Sequence, residues 1–167
     1  MPSTCANIEV WQAYSRMIYY LERNQELNCT LDQAWEFFST PRNLERLTPK
    51  SIGFKITHCK SKKIHVGQTI GYKIKVAPFI WVTWLTEITH VDALKSFVDD
   101  QRVGPYKIWH HEHHFKSVEG GVLMTDILHY DVGLGIFGWV ASKLFVDAKV
   151  KQIFEYRKEI LGKYEFK

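Results

Sequence analysis

Cysteines are few in this sequence, and none stands in a pattern that binds metal or builds a disulfide framework. The three cysteines, Cys5, Cys29 and Cys59, are odd in number and include no Cys-x-x-Cys pair. Small secreted domains use dense, even sets of cysteines, and cysteine zinc modules use closely spaced pairs. We therefore expect no disulfide scaffold, and we expect the protein to work in a reducing cytoplasm.

Long hydrophobic runs are also lacking. The longest apolar stretch, residues 132–141, is interrupted by glycines and is shorter than the roughly 20 apolar residues that span a bilayer. The first residues show no charged segment followed by an apolar core, so we expect no signal peptide. These absences predict no integral membrane association.

Motifs for nucleotides and for acyl transfer are missing as well. No GxxxxGK[ST] or GxGxxG phosphate loop and no GxSxG elbow occurs, and no cysteine is placed to act with a histidine. The net charge of +4 is mild. Its one dense basic run, formed by Lys55, Lys60, Lys62 and Lys63, is typical of a solvated hairpin end, so we expect no nucleic-acid partner.

What the sequence does contain is apolar and aromatic. Hydrophobic residues make up 46% and aromatic residues 14% of 167 residues, enough for one domain with a sizeable core or cavity. No repeat or linker divides the chain. We expect an N-terminal arm over residues 1–14 and a single domain over residues 15–167.

The periodicity predicts an α+β domain in the order strand, two short helices, six strands and one long helix. Thr30 precedes Gln33 by three residues, the spacing of a capping box that begins a helix. Thr40 and Pro41 then begin a second short helix that Thr48-Pro49 ends. The predicted strands are residues 17–29, 52–59, 68–76, 81–91, 96–102, 106–118 and 122–132, and the long helix is residues 134–164.

Several stretches resemble a known superfamily. They are LDQAWEFF (31–38), PRNLERLTP (41–49), FVDDQ (97–101), GPYKIWHH (104–111), MTD (124–126) and DVGLG (131–135). Together they are similar to the START-like (SRPBCC) superfamily of helix-grip proteins, which includes the Bet v 1 allergens and the polyketide cyclase/dehydrase group. The resemblance covers residues 17–162 and is greatest to bacterial proteins described only as ligand-binding.

The resemblance implies a curved, antiparallel, seven-stranded sheet wrapped around a long C-terminal helix, with two short helices after the first strand. Members of the superfamily bind lipids, sterols, polyketides or plant hormones, and some are cyclases or dehydratases. Fold alone does not choose among these functions. The resemblance supplies no catalytic residues to transfer.

The strand at residues 106–115 is the most informative part of the sequence. Alternation of side chains places one set on the face toward the helix, namely Trp109, His111, His113 and Phe115. The opposite face carries Tyr106, Ile108, His110, Glu112 and His114, and we expect its His110, Glu112 and His114 to form a convex, partly wet surface. A face that combines aromatic rings with two imidazoles is typical of a small-molecule pocket.

Neighbouring strands should offer matching inward side chains, if their registers follow the same alternation. The predicted ligand-binding residues are Trp81, Thr83, Phe97, Asp99, Gln101, Trp109, His111, His113, Phe115, Asp126, Leu128 and Tyr130. An Asp bonded to a His would fix the tautomer of the imidazole and raise its basicity.

Several roles stay open for His111 and His113. They are structural residues bonded to Asp99 or Asp126, ligand contacts to a carbonyl or hydroxyl, or candidate general acid/base residues. Metal binding with Asp126 as a third ligand is the least favoured role, so we expect no metal and no cofactor.

The preferred function is the binding of a small, largely hydrophobic molecule, lipid or polyketide-like, between sheet and helix, without catalysis. The first alternative is a cyclase/dehydratase-type enzyme that uses His111 or His113. The second is a module that docks a protein partner and has no ligand cavity.

Overall fold

A computed structural model describes residues 18–77, 79–133 and 147–166. The strands are β1 (Tyr19–Leu27), β2 (Lys55–His58), β3 (Thr69–Ala77), β4 (Ile80–Asp92), β5 (Ser96–Val103), β6 (Ile108–Val118) and β7 (Gly121–Asp131). The helices are α1 (Leu31–Phe38) and α2 (Asp147–Gly162), and two 3-10 turns, Pro41–Glu45 and Lys50–Ile52, precede β2. None of these described helices is long and apolar enough to cross a membrane.

All seven strands form one curved antiparallel sheet in the order β1-β7-β6-β5-β4-β3-β2. Strands β2 to β7 follow one another as a meander, and β1 pairs with β7 along its whole length, from Tyr19 opposite Tyr130 to Leu27 opposite Val122. The predicted fold class and element order are therefore confirmed.

The capping box predicted at Thr30 is present. The Thr30 hydroxyl accepts a hydrogen bond from the Gln33 backbone N–H at 3.2 Å, and the Gln33 side chain accepts one from the Thr30 N–H at 2.9 Å. These bonds satisfy two N–H groups that a helix start otherwise leaves free. Helix α1 then buries Ala34, Phe37 and Phe38 against the sheet.

Some predicted boundaries differ from the structure. The second short helix is a pair of 3-10 turns, and β6 begins at Ile108 rather than at residue 106 because a side-chain bond from Gln101 holds the Tyr106 backbone in the preceding turn. The expected arm at 1–14 and the first part of the long helix, 134–146, lie outside the described residues. The division of the chain into arm and domain thus stays a prediction.

The core consists of three groups of buried side chains. One lies under α1, a second on β3 and β4 around Trp84, and a third joins Leu128 and Tyr130 of β7 to Val150 and Phe154 of α2. Between the second and third groups, where α2 faces the middle strands, lies a cavity of about 320 Å³.

Candidate functional site

The walls of the cavity are mostly apolar and aromatic. Strands β3, β4 and β6 and the β5–β6 turn contribute large rings, and α2 contributes Val150, Ile153 and Phe154. The rings contact one another: the centroids of Trp84 and Trp109 are 5.0 Å apart, in an edge-to-face arrangement. The four rings are Tyr72, Trp84, Tyr106 and Trp109. Such walls favour an apolar ligand.

The polar end of the cavity is formed by five side chains from four elements, here called the Asp–His cluster. Its members are Asp99 of β5, His111 and His113 of β6, Asp126 of β7 and Arg157 of α2. Sheet register brings the first four together, because Asp99 is directly opposite His111 and His113 is directly opposite Asp126. Directly opposed residues in antiparallel strands have side chains in contact on the same face.

Each imidazole of the cluster lies between two carboxylates. Nε2 of His111 donates to Asp126 Oδ1 at 3.1 Å, and Nε2 of His113 donates to Asp99 Oδ2 at 3.0 Å, since an ionised carboxylate only accepts. The second nitrogens face the other carboxylates: His111 Nδ1 is 3.7 Å from Asp99 Oδ2, and His113 Nδ1 is 2.8 Å from Asp126 Oδ1. This last contact is short but lacks hydrogen-bond geometry.

Arg157 joins the cluster from the helix. Its Nη1 donates to both oxygens of Asp126, at 3.0 and 3.1 Å, and its guanidinium carbon is 5.9 Å from the ring centres of Phe38 and Phe154. The exposed fraction of Arg157 is 7% and that of Asp126 is 5%. A buried carboxylate needs such a partner, because an unpaired charge in the core is costly.

The surroundings lower the pKa values of both carboxyls of the cluster, Asp99 and Asp126. Burial works to raise the pKa of Asp126, but the positive charge of Arg157, the bond from His111 and the close contact of His113 hold it well below the usual value. Burial likewise opposes ionisation of Asp99, yet the bond from His113 and the nearby positive charges lower its pKa. Both carboxylates are therefore ionised at neutral pH.

The two imidazoles are shifted in opposite directions. Burial and the neighbouring His113 lower the pKa of His111 despite its bond to Asp126. Burial also works against the charged form of His113, but the interactions with Asp126 and Asp99 outweigh it and raise the pKa of that ring. Their ring centres are only 3.9 Å apart. The two rings therefore differ in basicity, and His113 is the more readily protonated of the pair.

Four predicted residues line the cavity, namely Asp99, Trp109, His111 and His113. Asp126 lies behind the imidazoles and bonds to them rather than lining the cavity. The remaining inward residues serve packing: the Phe97 ring stacks on His113 at 4.2 Å, Phe115 contacts Trp35 and Phe38, and Leu128 and Tyr130 lie under α2.

Three predicted residues are placed elsewhere by the structure. Trp81 is 50% exposed and its ring packs over Gly53, and Thr83 is exposed too, because the inward residues of β4 are Trp84, Thr86 and Ile88. The assignment of β4 faces was thus wrong by one residue. Gln101 bonds to the Tyr106 backbone in the β5–β6 turn and does not line the cavity.

The sequence analysis did not predict Arg157 as part of the site, nor three of the four aromatic rings of the cavity, Tyr72, Trp84 and Tyr106. Tyr106 was assigned to the opposite face, but it lies in the turn before β6 and points into the cavity. The signal for Arg157 was present: it follows Val150 and Phe154 and precedes Leu161 at helical spacing, so a charged residue stands in the buried stripe of α2.

The outer face of β6 is as predicted. His110 Nδ1 is 2.7 Å from Asp100 Oδ1, and His114 Nε2 is 2.9 Å from Glu112 Oε2. The side chains of His110 and His114 are 39% and 43% exposed. Burial works to raise the pKa of Glu112, but the combined interactions with His114 and His110 outweigh it and lower that pKa. This face is a solvated surface on which the histidines contact carboxylates.

Comparisons with known proteins identify the fold. No family model and no curated protein matches the chain. Among solved structures, a protein from Arthrobacter aurescens superposes with a TM-score of 0.67 at 14% identity, over 90% of this chain and 88% of that one. A norcoclaurine synthase point mutant from Thalictrum flavum, in complex with a transition-state analogue, gives 0.62 at 13% identity, over 87% and 95%.

A third structure, Ara h 8.0201, gives a TM-score of 0.54 at 14% identity and covers 88% of this chain and 99% of that one. Identities this low show likeness of fold and nothing about the ligand. With the observed sheet order and C-terminal helix, they show that the chain has the Bet v 1-like helix-grip fold.

Proposed function

We propose that this protein binds a small, largely apolar molecule that carries one hydroxyl or carbonyl group. The observation that supports this most is the cavity of about 320 Å³, which has aromatic and aliphatic walls and ends at the Asp–His cluster. Pockets of roughly this size with a few convergent polar groups are typical of small-molecule sites. The cytoplasm stays the proposed location.

The two parts of the cavity have different roles in this proposal. Burial of apolar ligand surface contributes about 25 cal/mol per Å², before the costs of ordering. The polar end orients the molecule, because Asp99, His111 and Arg157 reach the cavity while Asp126 lies behind the imidazoles and bonds to His111 and Arg157. A ligand hydroxyl can donate to Asp99 or to the free Nδ1 of His111.

The test is native mass spectrometry of gently purified protein, followed by denaturation to identify what is released. We expect a stoichiometric organic adduct that occurs again after incubation of stripped protein with the released compound. His111→Gln should weaken uptake, whereas His114→Gln, on the outer face, should not. A bare mass under all conditions, with no uptake from a lipid and polyketide library, would contradict the proposal.

A second candidate is a cyclase or dehydratase, and one observation favours it. Asp126 holds the Nε2–H of His111 and leaves its Nδ1 available as a base, next to His113, whose pKa is raised by Asp126 and Asp99. The similarity to a synthase structure with a bound transition-state analogue fits a fold that carries both binding and catalysis. Turnover of the released compound, lost in His111→Gln, would support this function; binding without a product would exclude it for that compound.

The docking hypothesis required α2 to lie flat on the sheet without a cavity. The cavity between α2 and strands β3–β6 therefore counts against it.

A further inference from the structure

Three groups on the cavity side of the Asp–His cluster converge on one point. His111 Nδ1 lies 3.7 Å and His113 Nε2 lies 3.0 Å from the same atom, Asp99 Oδ2. One possible ligand atom from each of these three residues lies within 4.8 Å of the other two. Two ligands of one zinc-sized ion, each about 2.0–2.2 Å from it, are about 2.9–3.5 Å apart. The observed spacing is close to that of the protein ligands of a metal.

The other side of both imidazoles is also arranged as in a metal site. His111 Nε2 and His113 Nδ1 lie 3.1 and 2.8 Å from Asp126 Oδ1. Histidines that bind metal usually donate their second N–H to a carboxylate, which fixes the tautomer and the ring orientation. Arg157 in turn holds Asp126 with two bonds.

A further sign is an unused buried nitrogen. His113 Nδ1 is buried and makes no hydrogen bond within the described part of the chain. A metal on Nε2 requires the proton of a neutral ring to sit on Nδ1, where it faces Asp126 at 2.8 Å. Small rotations of the ring would complete that bond.

We propose that Asp99, His111 and His113 bind one divalent transition-metal ion of the zinc type. Two imidazoles and one carboxylate suit Zn²⁺, Co²⁺ or Fe²⁺, whereas Ca²⁺ and Mg²⁺ prefer oxygen ligands. The ion takes the position of the hydrogen between Asp99 Oδ2 and His113 Nε2, and that proton passes to solvent. Three protein ligands leave coordination positions that face the cavity.

This inference revises the expectation of no metal, and it also changes the ligand set. The sequence alone pointed to Asp126 as the third ligand of such a site, because it is opposite His113 in β7. In the structure, Asp126 contacts His111 Nε2 and Arg157. Asp99 instead lies beside His111 Nδ1 and His113 Nε2, the nitrogens of the proposed site. The inference does not depend on the organic ligand proposed above.

The experiment is a Co²⁺ titration of the full chain after metal removal with EDTA and dialysis. We expect a visible d–d absorption band that saturates at one equivalent and disappears when Zn²⁺ is added. Asp99→Asn and His111→Gln should each weaken Co²⁺ binding by more than the roughly 10–100-fold loss that follows removal of an outer partner. Asp100→Asn, the next residue on the outer face, is the matched control and should bind Co²⁺ like the original chain.

Further variants separate the buried site from the outer histidines. Asp126→Asn keeps all three ligands and should lose roughly 10–100-fold in Co²⁺ affinity, and circular dichroism shows which variants are folded. The proposal is overturned if no band forms and no zinc is retained through gel filtration. It is also overturned if binding survives both ligand substitutions, or if His110→Gln abolishes it.

Discussion

At the scale of single residues, Arg157 determines whether the Asp–His cluster is stable in the core. It is the fifth member of a group that otherwise holds two carboxylates and two imidazoles. Without the guanidinium, Asp126 would keep one hydrogen bond, from His111, and the contact of His113 Nδ1, which is close but badly oriented. The cluster is therefore a network in which each charge depends on its neighbours.

Arg157→Met should destabilise the protein strongly, because it leaves a buried carboxylate without its main partner. Removal of one partner of a buried ion pair costs about 3–5 kcal/mol, and we expect the low end here since His113 remains nearby. Urea unfolding measures this change. Arg42→Met, at an exposed arginine, should stay within about 0.5 kcal/mol of the original chain.

A double variant tests whether the unpaired charge of Asp126 causes this loss of stability. Asp126→Leu together with Arg157→Met removes both charges, and such replacements are often neutral. Most of the lost stability should return. A double variant no more stable than Arg157→Met alone would show that lost packing by the arginine, not the unpaired charge, is responsible.

Single residues also mark the limit of the sequence-based prediction. His111, His113, Asp99 and Asp126 were found because alternation along β6 and its neighbours fixes their faces. Arg157 was not found because a charged residue in an apolar helical stripe is an exception that needs a known partner to be recognised. Its partner is on β7, distant in sequence.

At the scale of elements, the β5–β6 turn positions one wall of the cavity. The Gln101 side chain donates to the Tyr106 carbonyl and accepts from the Tyr106 N–H at 3.3 Å, so it ties both backbone groups of that residue. The Tyr106 ring then contacts Trp84 and Trp109. A residue predicted as a ligand contact thus shapes the cavity from outside it.

Gln101→Ala should loosen the turn and weaken ligand binding more than it weakens the fold. Loss of the two bonds is expected to cost about 1–2 kcal/mol of stability. Affinity for the fluorescent dye anilinonaphthalene sulfonate should fall about tenfold, equivalent to about 1.4 kcal/mol. Gln152→Ala, on the exposed side of α2, should change neither quantity. Unchanged dye affinity in Gln101→Ala would show that the turn does not position the wall.

Strand β4 shows why the faces of an element are harder to predict than its existence. Its predicted range of 81–91 is close to the observed Ile80–Asp92. Trp81 and Trp84 have opposite parity, however, so aromatic content favours neither face, and the register shifts at Leu85/Thr86 and Ile88/His90. A face chosen from one aromatic residue can therefore be wrong by one position, which reverses every side chain of the strand.

At the scale of the whole molecule, the cavity exists because the buried side chains pack as three separate groups and leave space between two of them. The buried groups under α1 and around Trp84 fill two regions, and α2 is supported by Leu128 and Tyr130 at its own contact with the sheet. The fold was predictable because its signals, alternation, caps and an amphipathic helix, are local. The cavity volume was not, since it depends on how side chains from distant elements meet.

Filling the cavity should separate binding from folding. Ile153 lines the cavity from α2, and Ile153→Trp should abolish uptake of anilinonaphthalene sulfonate while the melting temperature falls little, since the added ring occupies existing space. Gln152→Trp, the exposed neighbour, should keep uptake. Retained binding in Ile153→Trp would place the dye outside the cavity.

The contact between Asp126 and Arg157 has a consequence for the kinetics of exchange. Arg157 is eight residues, about 12 Å, along α2 from Lys149, and both line the cavity. Lifting α2 away from the sheet at Arg157 would separate the buried Arg157–Asp126 ion pair, so this end of the helix resists opening. We expect a molecule to enter and leave at the opposite end, near Pro105, Tyr106 and Val132. Changes in the β5–β6 turn will therefore alter residence time even where they leave the polar contacts intact.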